Sequence, residues 1–592
     1  VSNQPSPSEE LLECDNSIKE KFKPDTDTTV LLVQHFKKGE ALSLDGSVNS
    51  TTPKALNDLC LVKLNVRSVN SGPVAAPSTS KGIGIEIWLP TKANWNQRLH
   101  VLGSGGWGGG AHLSLTEIGS FTNASGDPSI VAGQEGAVSA TSDTGHSDMN
   151  SGGSFAMNPD GSINLSGWKD FSLRSVHEMA LKTKALTEAY YGKTAFKSYF
   201  DGGSMGGRQA MQAAQVYPND WDGILVAFPA INWTRFINAE MHPQIVYQRE
   251  LVDKGIPIPT TAQLDLVSNA AISSCDIVGG KHLGYLIDPS QCAYDPTKDK
   301  NILCNQEKGN ENIVGTNTTA QCFNLAQADA INKIWYGMTA DGAHPDPAID
   351  NGWNTKLDNN RRWYGWPRGT SLYHQWIRAI SPTTNVNASP DGPFTITSDM
   401  IALSLEDPTF AEPNFVNNSG NGSSRWKELT YAHLTHAFDR GIALQDQFSD
   451  IDANNPDLTA FKARGGKMIH YHGLDDEAIM PQGSIDYYEK VVEKMDGLSS
   501  TQNFYRFYLI PAMGHGFGGY HNGSANPPLP DRNDFYKALL NWVEKGQEPE
   551  IIMASTQPNS ESSAKSMPLC VYPKKITFVS GDPLIAHSYI CK

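Results

Sequence analysis

Cysteine is scarce in this chain, eight among 592 residues, and no two stand in the C-x-x-C spacing of a zinc or thiol-redox site. Positive charge is also in deficit. Forty-seven Lys and Arg against 63 Asp and Glu leave a net charge of -16, which argues against a nucleic-acid partner, since phosphate binding needs a basic surface. No run of 18 or more apolar residues occurs, so no membrane span is expected. An initiator methionine and an apolar leader are missing as well, and a start at Val1 reads as a processed mature form.

An even cysteine count favours disulfides. The eight fall into pairs close in sequence: Cys14 with Cys60, Cys275 with Cys292, Cys304 with Cys322, and Cys570 with Cys591. Nine N-x-S/T sequons begin at Asn49, Asn123, Asn164, Asn232, Asn317, Asn387, Asn417, Asn421 and Asn522. Together these features predict a secreted, extracellular glycoprotein. A hydrophobic content of 39% supports a sizeable core, and the length suits one large α/β enzyme with an insertion.

Gly202-Gly203-Ser204-Met205-Gly206 is the one G-x-S-x-G in the sequence. A strand-like run, 195–200, precedes it and a helix-like run, 207–214, follows. Strand, turn and helix are the context in which a strained turn lifts a serine hydroxyl clear of a sheet. Further strands read at 61–66, 84–89, 98–102, 136–141, 223–227, 467–471 and 504–509. Helices read at 172–191, 483–494 and 531–545. Strands alternating with helices imply a parallel sheet covered on both faces. That rhythm disappears between residues 228 and 463, a stretch too long for a loop and therefore read as an inserted domain. The chain divides accordingly into 1–227, the lid 228–463, and 464–592 with its tail.

Serine is a weak nucleophile and needs an adjacent base, which in turn needs an orienting acid. His515 follows the strand 504–509 and Asp476 follows the strand 467–471, so both lie at carboxyl ends of strands, where sites form in such sheets. Asp475 is the alternative acid. Nucleophile, acid and histidine in that chain order match the α/β-hydrolase fold. His146, His470 and His472 read as structural, with His472 packing beneath the site. An oxyanion hole requires two N–H groups, expected from Met205 and from Gly106 in the glycine-rich run 103–110. No Gly-Lys-Ser/Thr follows that run, so a phosphate cradle is not expected.

These residues resemble the tannase and feruloyl esterase family. The likeness extends through Ser142-Asp143-Thr144-Gly145-His146, Gly203-Ser204-Met205-Gly206-Gly207-Arg208-Gln209, Trp221-Asp222-Gly223-Ile224, His472-Gly473-Leu474-Asp475-Asp476, Pro511-Ala512-Met513-Gly514-His515 and Pro568-Leu569-Cys570-Val571-Tyr572-Pro573. The resemblance implies Ser204 as nucleophile, Asp476 as acid and His515 as base. It also implies phenolic-acid esters as substrates, galloyl esters of tannins first and feruloyl or related hydroxycinnamoyl esters second. Two departures stand out. Family members usually carry a disulfide between the residue before the serine and the residue after the histidine, where this chain has Gly203 and Gly516. A looser resting triad is the expectation. Calcium-binding members carry aspartates in a loop that here reads Cys275 to Gly284, with only Asp276 remaining and Lys281 adding positive charge. No metal and no cofactor are expected. In the insertion, Arg361, Trp363 and Trp366 offer cations and aromatic faces for a phenolic ring, or pack the lid core. A catalytically silent binding glycoprotein and a peptidase are the rival readings.

Overall fold

The computed structural model describes residues 10–592 apart from 75, 77, 148–151, 306–314, 373–393, 412–414, 416–424, 517–525 and 557–563. Four strands form an antiparallel sheet: β1 (Thr28–Phe36), β2 (Leu59–Val66), β3 (Ile83–Pro90) and β5 (Ser139–Ser142), in that order. Five others are all parallel: β4 (Arg98–Leu102), β6 (Lys197–Gly203), β7 (Gly223–Ala227), β8 (Lys467–Gly473) and β9 (Tyr505–Ile510), ordered β9-β8-β7-β6-β4. A parallel bridge between Leu99 and Val138 joins the two sets, with His100 N–H donating to Val138 O at 2.8 Å. The result is an α/β-hydrolase sheet, as the sequence led us to expect.

Alternation along the parallel strands explains why both faces are covered, because successive side chains leave a strand on opposite sides. Phe200, Ile224, Met468 and Phe507 enter one core, with helices Ser175–Tyr191, Met205–Val216 and Gln482–Lys494. Their neighbours Tyr199, Leu225, Ile469 and Tyr508 enter the opposite core, closed by Phe535, Leu539 and Trp542 of helix Arg532–Lys545. Element boundaries fall close to the expected ones. The edge strand β1 was not anticipated; its exposed positions among buried ones mark a sheet margin with one face toward solvent.

Residues 228–463 are not irregular throughout. They hold the helices Trp233–Ala239, Thr261–Cys275, Leu325–Tyr336, Thr395–Leu405 and Tyr431–Ala443. Three of these start with reciprocal capping boxes, at Thr260, Asn324 and Thr430, which satisfy N–H groups that helix geometry leaves unpaired. Their apolar faces build a core that also takes in Trp107, Phe155, Trp168, Phe171 and Met205. The stretch thus shares its interior with the segments around the elbow.

The four disulfides join Cys14 to Cys60, Cys275 to Cys292, Cys304 to Cys322 and Cys570 to Cys591. No helix among the described residues is long and apolar enough to cross a membrane. The sequons divide. Asn49 is exposed and Asn317 half-buried, whereas Asn387, Asn417, Asn421 and Asn522 lie outside the described residues. Asn164 corrects the glycosylation expectation, because it is buried and its Nδ2 donates to Ser78 O and Phe155 O. Asn232 is buried too, under the chain at Asn454. Asn123 Nδ2 is bonded to Gly108 O. A glycan on any of the three would displace these packed contacts.

Candidate active site

Ser204 sits between the end of β6 and the helix Met205–Val216 at φ +59° and ψ -123°, a strained conformation for a residue with a side chain. The surroundings over-determine it: Ser204 N–H donates to Ala227 O at 3.0 Å, and Ser204 O accepts from Ala230 N–H at 2.8 Å. The flanking glycines are obligatory. A Cβ on Gly202 would lie 2.0 Å from Gly206 O, and one on Gly206 would lie 2.4 Å from Ser125 Oγ. Close approach of the glycine-rich loop is secured in the same way, since a Cβ on Gly103 would lie 2.5 Å from Gly206 Cα.

His515 Nε2 lies 3.0 Å from Ser204 Oγ, and its Nδ1 lies 3.1 Å from both oxygens of Asp476. A second carboxylate steadies this histidine: Glu477 Oε2 accepts the His515 backbone N–H at 3.0 Å. Burial lowers the affinity of the His515 ring for a proton. The Asp476 charge and hydrogen bond, with the Glu477 charge, outweigh that and hold its pKa above the ordinary value. Burial likewise opposes ionisation of Asp476, yet His515 and His472 depress its pKa far below the usual carboxylate range.

The histidines set aside as structural extend this chain of contacts. His472 Nε2 stands 2.9 Å from both Asp476 Oδ2 and the Ile479 carbonyl, two acceptors, so this nitrogen carries the proton. Its Nδ1 therefore accepts from Ser484 Oγ at 2.7 Å. Ser484 Oγ in turn accepts from His470 Nε2 at 3.0 Å, and His470 Nδ1 accepts from Tyr505 O–H at 2.7 Å. Asp476 Oδ1 also accepts the Ala478 and Ile479 N–H groups, each at 2.9 Å. The i, i+4 spacing of His472 and Asp476 was visible in the sequence; the remainder depends on the register of β8 and β9 and on the helix starting at Gln482.

Ser204 and His515 open onto a cavity of about 520 Å³ that Met205, Gly105, Gly106 and Asn123 also line. Met205 N–H begins its helix and has no intrahelical acceptor. Gly106, at φ +51°, adopts a turn that a side chain would strain. Trp233, Phe236, Ile237, Glu240, Phe394, Ile396 and Ile479 make most of the remaining wall.

Arg361, Trp363 and Trp366 do not line this cavity, which corrects the expectation that they bind substrate. Arg361 is buried, donates to the carbonyls of Gly352, Asn354 and Lys356, and sits over the rings of Tyr336 and Tyr364. Trp363 packs on Tyr364 and Phe438. Trp366 is tied through Nε1 to Glu477 O at 2.8 Å and so braces the acid loop from behind. The aspartate left in the loop after Cys275 is also committed. Asp276 binds His282 Nδ1 at 2.6 Å and Gly284 N–H at 2.8 Å, and Leu283 is buried beside it. Those residues do not fit a calcium site, and no group of three or more His, Cys, Asp or Glu suited to a metal occurs among the described residues.

A Cβ on Gly203 would lie 2.8 Å from the ring of Phe228, and that ring meets His515 edge-on with centroids 4.7 Å apart. An aromatic ring therefore links the elbow strand to His515 where the family resemblance led us to expect a disulfide. Ser204 Oγ and His515 Nε2 stand 3.0 Å apart without that disulfide.

The family model for tannase and feruloyl esterase matches residues 69–592. The chain belongs to the tannase and feruloyl esterase family. Over 545 residues it is 32% identical to a probable feruloyl esterase of Arthroderma benhamiae, covering 91% of this chain and 86% of that protein. Among solved structures it is similar to feruloyl esterase B from Aspergillus oryzae, with a TM-score of 0.71 and 23% identity over 98% of this chain and 99% of the other. It is also similar to the tannin acyl hydrolase from Aspergillus niger, with a TM-score of 0.67 and 21% identity over 98% and 95%. At those identities the two structures speak for the fold. The family match makes this member of the tannase and feruloyl esterase family a carboxylic ester hydrolase.

Proposed function

We propose that this esterase cleaves esters of phenolic acids through an acyl-enzyme on Ser204. The observation that carries the reading is the unbroken hydrogen-bonded chain Ser204–His515–Asp476 at the wall of a largely apolar cavity. His515 Nε2 takes the Ser204 proton as Oγ attacks the ester carbon, and Asp476 fixes the tautomer and stabilises the imidazolium. Met205 and Gly106 N–H groups hold the charge developing on the carbonyl oxygen. Collapse expels the alcohol with the proton from His515. Water then attacks the acyl-enzyme, with His515 again as base, releasing the acid. Residues 228–463 act as the lid that supplies the acyl pocket. Four disulfides and an exposed sequon at Asn49 support export as a glycoprotein.

Both family substrates suit the chemistry, and the described lining favours hydroxycinnamoyl over galloyl esters. Three vicinal hydroxyls on a galloyl ring demand several polar partners, whereas the described lining offers, besides Ser204 and His515, only the polar side chains of Asn123 and Glu240. Kinetics on methyl ferulate and methyl gallate, with Ser204→Ala as the blank, test this. The expected result is a higher kcat/KM for ferulate and a loss of about 10⁵-fold or more in the variant. Preference for gallate would restore tannin-type esters to first place. Inertness toward both esters would overturn the phenolic reading.

A further inference from the structure

Helix Trp233–Ala239 turns one stripe toward the cavity: Trp233, Phe236, Ile237 and, one position past the helix, Glu240. Spacing i, i+3, i+4, i+7 is a single helix face. Three of the four are apolar and the fourth is a carboxylic acid, only 4% exposed. Apart from His515, Glu240 is the one ionisable side chain among the described lining residues. A leucine there would continue the apolar wall, whereas an acid costs desolvation unless its polar atoms are used. Among the described residues they are used once, for the carboxyl accepts one long hydrogen bond, 3.3 Å, from Thr397 Oγ1. Burial and the nearby Asp476 charge raise the Glu240 pKa well above the carboxylate range, against the lesser effect of Thr397. That direction favours the protonated form of the carboxyl, which can donate as well as accept.

We infer that Glu240 is a specificity-determining residue, whose carboxyl binds a ring hydroxyl of the acyl group and selects phenolic over non-phenolic aromatic acids. The inference rests on the phenolic-ester reading above and deepens it. A hydroxyl entering the apolar wall needs one partner, and Glu240 supplies it. An acyl ring without the hydroxyl leaves the Glu240 carboxyl half-used, so the same group rejects what it does not bind.

The test compares kcat/KM for methyl ferulate and methyl 3-methoxycinnamate, which lacks only the 4-hydroxyl, in wild type, Glu240→Gln and Glu240→Leu. Rates are normalised to active sites titrated at Ser204 with an organophosphate, and folding is followed by thermal unfolding. Wild type is expected to favour ferulate by about tenfold, the contribution of one buried hydrogen bond. Gln, which keeps a donor and an acceptor, should retain most of that ratio, and Leu should bring it near one. A wild-type ratio preserved in Glu240→Leu would overturn the assignment, as would an equal loss on both esters, which marks a structural tie to Thr397. A wild type that hydrolyses ferulate without discriminating between the esters also overturns it, while leaving the phenolic-ester reading in place. Inertness on ferulate and gallate together removes that reading, and this one with it.

Discussion

Asp475 and Asp476 are consecutive residues on one loop, both fully buried, and their surroundings are opposites. Asp476 faces two imidazoles and two backbone N–H groups. Neither oxygen of Asp475 has a hydrogen-bond partner among the described residues. Burial, reinforced by the charge of Glu477, pushes the Asp475 carboxyl up to about 8. The same residue type in adjacent positions is thus an anion in one case and a neutral acid in the other. Donors make the difference, since burial is equal. Backbone register decides which acid receives them: Asp475 N–H is tied to Met513 O, which aligns the acid loop with the loop carrying His515.

The largest effect expected from breaking this contrast is Asp476→Asn. The amide keeps the shape but removes the charge that stabilises the imidazolium, and kcat should fall by about 10⁴. Asp475→Asn should stay within about threefold of wild type. Equal losses in the two variants, measured by steady-state kinetics on methyl ferulate, would erase the assignment of roles.

Next in size is His472→Phe. It removes a charge-assisted hydrogen bond from Asp476 and leaves Ser484 without its acceptor. About tenfold in kcat should be lost, with KM little changed, because His472 touches no substrate. An unaltered kcat would mean that the two N–H groups and His515 alone suffice to hold the acid.

Glu477→Gln probes the base. With His515 as the proposed base, only its neutral form is active, so kcat/KM should rise with pH through a midpoint set by its raised pKa. Gln keeps an acceptor for the His515 N–H but removes a negative charge. The midpoint should therefore move down, and relative activity below it should increase. A midpoint that stays put would show that Asp476 alone raises the pKa.

The elements that align the site were legible where chemistry imposes a local pattern. G-x-S-x-G, the short apolar run of β7, and the His472-Gly473-Leu474-Asp475-Asp476 segment each place a residue through its near neighbours. Ser204, Asp476 and His515 accordingly meet in space. What was missed depends on distant packing. The Tyr505–His470–Ser484 contacts join two strands and a helix over 35 residues. Arg361 and Trp366 looked like ligand groups because cations and aromatics attract rings, but backbone carbonyls cage them. The wall from Trp233 to Glu240 was hidden because sequence alone does not say which helix of residues 228–463 faces Ser204. Asn164 shows the same limit, since a sequon says nothing about burial.

The smallest effect is the most selective for the contrast, and it concerns stability. Folded, Asp475 keeps its proton up to about pH 8, whereas the unfolded chain releases it near the ordinary carboxylate value of about 3.9. Between those limits the folded state binds one more proton than the unfolded state, so stability falls as pH rises through the window and levels off above it. Asp475→Asn cannot titrate and lacks that loss. The variant should match wild type in Tm near pH 4, where both forms are neutral at this position. By pH 8 it should be more stable by a few kcal/mol, or a few degrees in a chain of this size. Asp476→Asn should show the reverse trend, because the depressed pKa of Asp476 contributes stability at neutral pH that is lost on acidification. Parallel Tm curves for wild type and Asp475→Asn from pH 4 to 8 would mean that Asp475 is ionised in the fold, and the two neighbours would then differ in geometry alone.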